Sequence, residues 1–223
     1  MHEDLRGKIL SLILDGERYA ASEILAEYAE THSFENTVTE ILEPVMARFG
    51  ELWSMGNEIS LGQGYVAGKV AEDLVEQAAA NQEFENTKGP IVIGNIEDDS
   101  HSLGRKLVVV FLRLHGWDVI DLGVDVPAED FVQTALEAKA PIIAASAMMY
   151  HTALNIKRLR DLMDEQGLNG NTQLAVGGAI FLQRPDLVNQ VGGDGTSPNA
   201  IKAPQLFDEL LAKAIKTRGS TNE

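Results

Sequence analysis

The chain has 223 residues, a formal net charge of −16 at pH 7 and a hydrophobic fraction of 44%, so it can bury a core. The acidic excess argues against nucleic acid and an anionic membrane surface as partners, because binding either one requires Lys and Arg. The lack of cysteine excludes disulfides and thiolate metal sites, and without a leader-like N-terminus or a membrane-length apolar run the sequence predicts a cytoplasmic protein.

The first part of the chain is predicted to be helical. Leu, Ile, Val and Ala recur at helical spacing over four segments, at 4–14, 19–31, 34–53 and 61–81. Short connections between four such helices favour an antiparallel four-helix bundle. Pro44 lies inside the third segment, where it removes a backbone hydrogen bond, so we expect that helix to bend or split.

A group of large apolar residues follows Pro44 at helical spacing: Met46, Phe49, Leu52, Trp53 and Met55. The simpler interpretation is that these residues form the core of the bundle. The alternative is that some of them form an apolar lid over a ligand held by the other half of the chain.

The polar segment EFENTKG at 83–89 marks a change of pattern and predicts two domains, at 1–86 and 87–223. Strands predicted at 91–93, 118–122, 142–146 and 173–176, with a weak fifth at 195–197, alternate with helices at 103–114, 128–138, 153–165, 185–190 and 204–216. Such continuous apolar strands are typical of a parallel sheet covered on both faces. We predict a Rossmann-like, flavodoxin-like α/β domain with a five-stranded parallel sheet in the order 2-1-3-4-5.

In that strand order a crevice opens at the carboxyl ends of strands one and three, and candidate ligand-binding residues follow these strands. His101 follows strand one, and Asp99, two residues before it, can hydrogen-bond one ring nitrogen and leave the other for a metal. One histidine with one carboxylate is a poor zinc site, which takes three or four protein ligands. The pattern therefore predicts one axial metal ligand, although these two residues alone fit a structural loop histidine equally well.

The motif Asp99-x-His101-x-x-Gly104, followed by Ser146-x-Met148 and Gly177-Gly178, resembles the signature of cobalamin-binding domains, D-x-H-x-x-G, S-x-L and G-G. The segment DLGVDVP at 121–127 resembles the end of that family's second strand. With the helical half in front, the chain is similar to the corrinoid proteins of methyltransferase systems and to the cobalamin-binding module of methionine synthase.

The chain departs from the usual pattern of this family at several positions. Asp98 and Ser102 stand where the family usually has Gly and Asp, and Arg105 stands for the common Lys. Met148 replaces the usual Leu, and Tyr150 and His151 occupy a stretch that is commonly rich in Thr.

The resemblance implies a cobalamin bound base-off/His-on, with His101 replacing the cofactor's own base as the lower axial ligand of cobalt. It implies that Asp99 hydrogen-bonds this histidine, that Thr152 completes the relay, and that Ser146 binds the displaced base. The other cofactor-binding residues that it implies are Ser102, Leu103, Gly104, Met148, Gly177 and Gly178. The helical bundle would cap the upper, methyl-bearing face.

The resemblance further implies a non-catalytic carrier subunit, loaded as methylcobalamin, that passes a methyl group between two partners. These are a substrate:corrinoid methyltransferase and a second, methyl-acceptor methyltransferase, and the linker at 83–89 is expected to be mobile so that the cap can swing. An alternative is a cobalamin sensor or storage protein, although sensors of the family usually carry a DNA-binding domain and none is visible. The cofactor-binding subunits of radical isomerases generally lack the helical half, and receiver domains need an Asp where Ser146 stands.

Overall fold

The computed structural model describes residues 2–54, 59–81 and 87–220. The chain divides into two compact units, Met1–Gln82 and Glu83–Glu223. The predicted domain boundary at residue 86 and most of the predicted linker at 83–89 lie outside the described residues. Within the described ranges no helix is long and apolar enough to cross a membrane.

The first unit is helical, which confirms the prediction for this part of the chain. Its helices are α1 (His2–Leu14), α2 (Arg18–Thr31), α3 (Phe34–Thr37), α4 (Glu43–Ser54) and α5 (Leu61–Asn81). Buried apolar side chains from each helix form the core, among them Ile9, Leu25, Phe34, Phe49 and Val70. The side chain of Trp53 and the whole of Met55 lie outside the described residues, so the lid interpretation stays a prediction.

The predicted third helix is interrupted before Pro44. Between α3 and α4 the backbone forms a π-helical segment, Val38–Leu42, in which the N–H of Glu43 reaches the carbonyl of Val38. Pro44 has no N–H to donate to the carbonyl four residues earlier, which belongs to Glu40. Arg6 donates to that carbonyl instead, with Nε 2.6 Å from the oxygen. The wider turn therefore absorbs the local effect of the proline.

The second unit contains a parallel sheet of four strands, β1 (Lys88–Asn95), β2 (Trp117–Asp121), β3 (Ile142–Ser146) and β4 (Gln173–Gly177). Their order in the sheet is β2-β1-β3-β4, and every neighbouring pair is parallel. The prediction of a fifth strand is wrong for the described residues, because Gly195 makes only an isolated bridge to Ala175. That segment contains Gly192, Gly193 and Gly195, and glycine has no side chain to pack on a sheet.

Helices cover both faces of this sheet. They are α6 (Ser102–Leu114), α7 (Ala128–Ala138), α8 (Tyr150–Glu165), α9 (Ala179–Gln183), α10 (Leu187–Gln190) and α11 (Ala203–Ser220). Successive strand residues point to opposite faces. Val92 therefore joins the core with Phe131 of α7, whereas Ile91 joins the core with Phe207 of α11. With both faces filled, the loops at the carboxyl ends of the strands are the place left for a ligand.

Candidate functional site

Three strand ends and the loop after β1 form the candidate site. Asn95, Ser146 and Gly177 are direct neighbours across β1, β3 and β4, so they form one row at the edge of the sheet. The loop that follows β1 starts directly after Asn95 and leads to α6, which begins at Ser102.

Asp98 in this loop adopts a left-handed backbone with φ +68, and Asp125 in the loop after β2 adopts one with φ +55. The two loops are joined, because the N–H of Asp98 donates to the carboxylate of Asp125 at 2.8 Å and the N–H of Asp125 donates to the carbonyl of Asp99 at 3.0 Å. A positive φ explains why glycine suits this position in the family that the sequence resembles, and Asp is among the residues that tolerate it.

Asp99 is fully buried and accepts hydrogen bonds from four residues. Its Oδ1 accepts from the backbone N–H of His101 at 2.9 Å and from Nδ2 of Asn95 at 3.2 Å. Its Oδ2 accepts from the hydroxyl of Thr152 at 3.1 Å and from the N–H of Met148. Burial alone would raise the pKa of Asp99, but the N–H groups of Met148 and His101, the Thr152 hydroxyl and the His101 ring outweigh it and lower the pKa. The side chain is therefore an ionised carboxylate.

His101 presents its ring to solvent while one ring nitrogen faces Asp99. Nδ1 lies 3.2 Å from Oδ1 of Asp99, and 52% of the histidine side chain is exposed. Because the ionised carboxylate can only accept, Nδ1 is the nitrogen that donates to it, which leaves Nε2 as the ring nitrogen for a metal. Across the described ranges no group of three or more His, Cys, Asp or Glu could hold a metal ion. The donor set thus fits a metal whose other positions are already filled by an organic ring.

Thr152 lies in the first turn of α8 and is buried. Its hydroxyl is 3.1 Å from Oδ2 of Asp99 and 2.9 Å from the carbonyl of Met149, and it accepts from the N–H of Met149. The structure therefore brings together Thr152, Asp99 and His101, the three residues to which the resemblance assigns a relay. The side chain of Met148 is exposed at the same edge.

The glycines at the motif positions serve two different structural purposes. Gly178 has φ +110, and a Cβ at this position would lie 2.0 Å from the carbonyl oxygen of Ala147, so no other residue fits there. Around Gly104 and Gly177 a Cβ would meet nothing within 4 Å, which leaves open space at the start of α6 and at the end of β4. Ser102 and Leu103 are half-buried in the first turn of α6.

Three polar residues next to the site were not predicted from the sequence, namely Asn95, Arg105 and Asp121. Asn95 is fully buried at the end of β1, and Arg105 is buried in α6. Nε of Arg105 donates to Oδ1 of Asn95 at 2.8 Å, and Nη1 donates to Oδ1 of Asp121 at the end of β2. The sequence contained one indication that Arg105 is buried: it falls on the apolar stripe of α6, together with Val109 and Leu112.

Comparisons with known proteins agree with this geometry. A family model described as a B12 binding domain matches residues 89–204, which is more than half of the chain. A second model with the same description matches residues 5–80. The two matches correspond to the α/β unit and the helical unit.

Individual relatives and solved structures are similar in the same way. The chain is 42% identical to trimethylamine corrinoid protein 1 of Methanosarcina mazei over 106 residues, which is 48% of each protein, so this match spans about half of the relative. The structure of the Methanosarcina barkeri monomethylamine corrinoid protein superposes with a TM-score of 0.82 at 25% identity, over 94% of this chain and all of that one. In the methanol:cobalamin methyltransferase complex MtaBC from the same organism, the matched chain has a TM-score of 0.52 at 26% identity, over 94% of this chain and 80% of that one.

Proposed function

This chain belongs to the B12-binding family, which includes the corrinoid proteins of methylamine and methanol methyltransferase systems, and we propose that it carries a methyl group on a corrinoid bound through His101. The observation that carries the proposal is an exposed imidazole whose Nδ1 is held by a buried, ionised carboxylate. This pairing keeps the lone pair on Nε2 and makes it a better donor to a metal. When bound, the corrinoid supplies the methyl-transfer chemistry of its cobalt.

The remaining residues of the site would hold the rest of the cofactor. Ser146 ends β3 between Asn95 of β1 and Gly177 of β4, so its hydroxyl would bind a base that enters the crevice at the carboxyl ends of β1 and β3. The open space around Gly104 and Gly177 admits the tail, and Gly178 lets the backbone of the two loops approach closely. Ser102, Leu103, Met148 and Thr152 complete the proposed lining.

Two protein partners follow from this role. A similar chain occurs in the complex of a methanol:cobalamin methyltransferase, and a methyl carrier needs one protein to load it and another to unload it. We therefore assign it a substrate-specific methyltransferase and a methyl-acceptor methyltransferase. In this proposal the chain acts as a carrier subunit, and the substrate sites belong to its partners.

The ligand set can be tested on the purified protein reconstituted with cobalamin and reduced to the Co(II) state. The electron paramagnetic resonance spectrum is expected to show splitting from one axial nitrogen, which should change when histidine is labelled with nitrogen-15. His101→Ala should lose this splitting and keep a bound corrinoid. His115→Ala is the matched control, because His115 ends the same helix and its Nδ1 lies 2.8 Å from the carbonyl of Phe111.

A label-sensitive splitting that survives in His101→Ala, or a wild-type splitting that does not respond to the label, would exclude histidine ligation by this residue. Methyl traffic is tested separately by incubating the reduced holoprotein with a methanol or methylamine methyltransferase and a radiolabelled methyl donor. Label should appear on the wild-type holoprotein and leave it when an acceptor methyltransferase is added. A holoprotein that binds cobalamin through His101 but never acquires label would favour the sensor or storage role.

A further inference from the structure

Arg105 is a buried cation directly behind the candidate site. Only 4% of its side chain is exposed, although arginine is rarely this buried unless it is paired. It bridges two strand ends, since Nε donates to Oδ1 of Asn95 at 2.8 Å and Nη1 donates to Oδ1 of Asp121. The carboxylate of Asp121 balances the charge of the buried arginine, and the Asp121 side chain is itself partly exposed to solvent.

Arg105 fixes the orientation of the Asn95 amide. A guanidinium can only donate hydrogen bonds, so the oxygen of the amide must face it. The NH2 group then faces the loop, where it donates to Oδ1 of Asp99 at 3.2 Å and to the backbone carbonyl of His101 at 3.1 Å. Both of these oxygens can only accept, so all three contacts are satisfied in one orientation of the amide.

Asn95 holds both ends of the segment that carries the histidine. One of its protons fixes the carboxylate that faces Nδ1 of His101, and the other fixes the main chain of His101 itself. A shift of the Asn95 amide therefore moves the imidazole through its side-chain partner and through its backbone. The result is a continuous row of contacts from Asp121 to Arg105, Asn95, Asp99 and His101.

We propose that Arg105 is a positioning residue for His101, and that, acting through Asn95, it sets how strongly Nε2 of this histidine binds the cobalt of the corrinoid. This inference rests on the proposed function, because it assumes that His101 is the axial ligand. Loss of the guanidinium leaves Oδ1 of Asn95 buried without a donor, so the amide turns to find one and its hold on Asp99 and His101 is lost.

The test measures the ratio of histidine-bound to histidine-free Co(II) corrinoid by electron paramagnetic resonance, at a pH where both forms are populated in the wild type. Arg105→Met removes the charge and is expected to lower this ratio about tenfold, the factor that corresponds to loss of one buried charge-assisted hydrogen bond. Arg105→Lys keeps a charged donor and is expected to recover the ratio to within about threefold of wild type. Arg113→Met is the matched control, since Arg113 lies in the same helix and donates to the carbonyl of Val119.

Asn95→Asp gives a second route to the same answer if Arg105→Met does not fold. The new carboxylate would lie against the carboxylate of Asp99, and like charges this close repel. The ratio should fall at least as far as in Arg105→Met, and thermal unfolding monitors whether each variant is folded. A folded Arg105→Met or Asn95→Asp protein with the ratio of the wild type would overturn the inference.

A merely structural role of Arg105 predicts a different pattern. In that case stability falls in Arg105→Met while the ratio in the folded fraction stays within about twofold of wild type, and this result also overturns the inference. The proposed function fails on another observation, the absence of a His101-dependent nitrogen splitting in the wild type. The two failures are therefore distinguishable on the same set of samples.

Discussion

Replacing Asp99 by Asn should strongly destabilise the apoprotein, because the two oxygens of this carboxylate serve different donors. In the better amide orientation the remaining oxygen keeps the Oδ1 contacts and the new NH2 group faces the N–H of Met148 and the hydroxyl of Thr152. The hydroxyl can turn its proton to the carbonyl of Met149, 2.9 Å away, but the N–H of Met148 has no such choice. One unsatisfied N–H costs about 1–3 kcal/mol, and with the lost charge assistance we expect Asp99→Asn to lower the free energy of unfolding by about 3 kcal/mol.

The contribution of Asp99 to stability should also depend on pH. The pKa of Asp99 is lowered in the folded protein, so its contribution to stability is present at neutral pH and is lost as the pH falls through its folded pKa. Urea unfolding of the apoprotein between pH 7 and acidic pH should therefore show a steep loss of stability in the wild type and a shallower one in Asp99→Asn. Asp98→Asn is the matched control, because the Asp98 side chain is exposed and its contact with Asn155 is long, at 3.4 Å.

The reasoning would be refuted by an Asp99→Asn protein whose free energy of unfolding lies within about 1 kcal/mol of wild type at neutral pH, which is the size of one ordinary hydrogen bond. An equal loss of stability in Asp98→Asn would also contradict it. That outcome would show that the charge of the loop matters and that the buried contacts of Asp99 do not.

Three further predictions concern single side chains. Gly178→Ala should lower the free energy of unfolding by about 3 kcal/mol or more and abolish corrinoid retention, since its Cβ would lie 2.0 Å from the carbonyl oxygen of Ala147; wild-type urea curves would contradict this. Thr152→Val should weaken cobalamin retention on a desalting column and destabilise the apoprotein by about 1–2 kcal/mol, whereas Thr152→Ser should behave as wild type. Asp73→Asn should lower the unfolding temperature of the chain and reduce its acid sensitivity, because the hydrogen bond from Arg18 lowers the pKa of Asp73; an unchanged acid dependence in calorimetry would count against it.

Most of the fold could be predicted from periodicity, and the error over a fifth strand has a local cause. The apolar runs that became β1, β3 and β4 are continuous, which is the pattern of strands buried on both faces. The segment around Gly195 continues the alternation of strands and helices along the chain, but its glycines leave it with a single bridge to the sheet. The interruption of the third helix was expected from Pro44, whereas its π-helical form was not, and the contact there between Arg6 and the Glu40 carbonyl joins residues distant in sequence.

The candidate site, too, could be predicted only in part from the sequence. Short motifs with fixed spacing indicated His101 and Asp99, and such motifs can be recognised without knowledge of the packing. Asn95 and Arg105 were not recognised, because a polar residue at a strand end and a cation in a helix are common on protein surfaces. Their importance comes from burial and from contacts between β1 and α6, which only the folded chain brings together.

The π-helical segment Val38–Leu42 accommodates one surplus residue within the long helical run of the first unit. Each residue of an α-helix turns the chain by about 100°, so one extra residue in a regular helix would rotate every side chain after it, whereas the wider turn takes up that rotation locally. Val45 and Phe49, which follow the segment, point into the core. A deletion of one residue inside Val38–Leu42 should therefore leave an ordinary α-helical turn with both side chains still buried, so this stretch can lose one residue where the adjoining helix cannot.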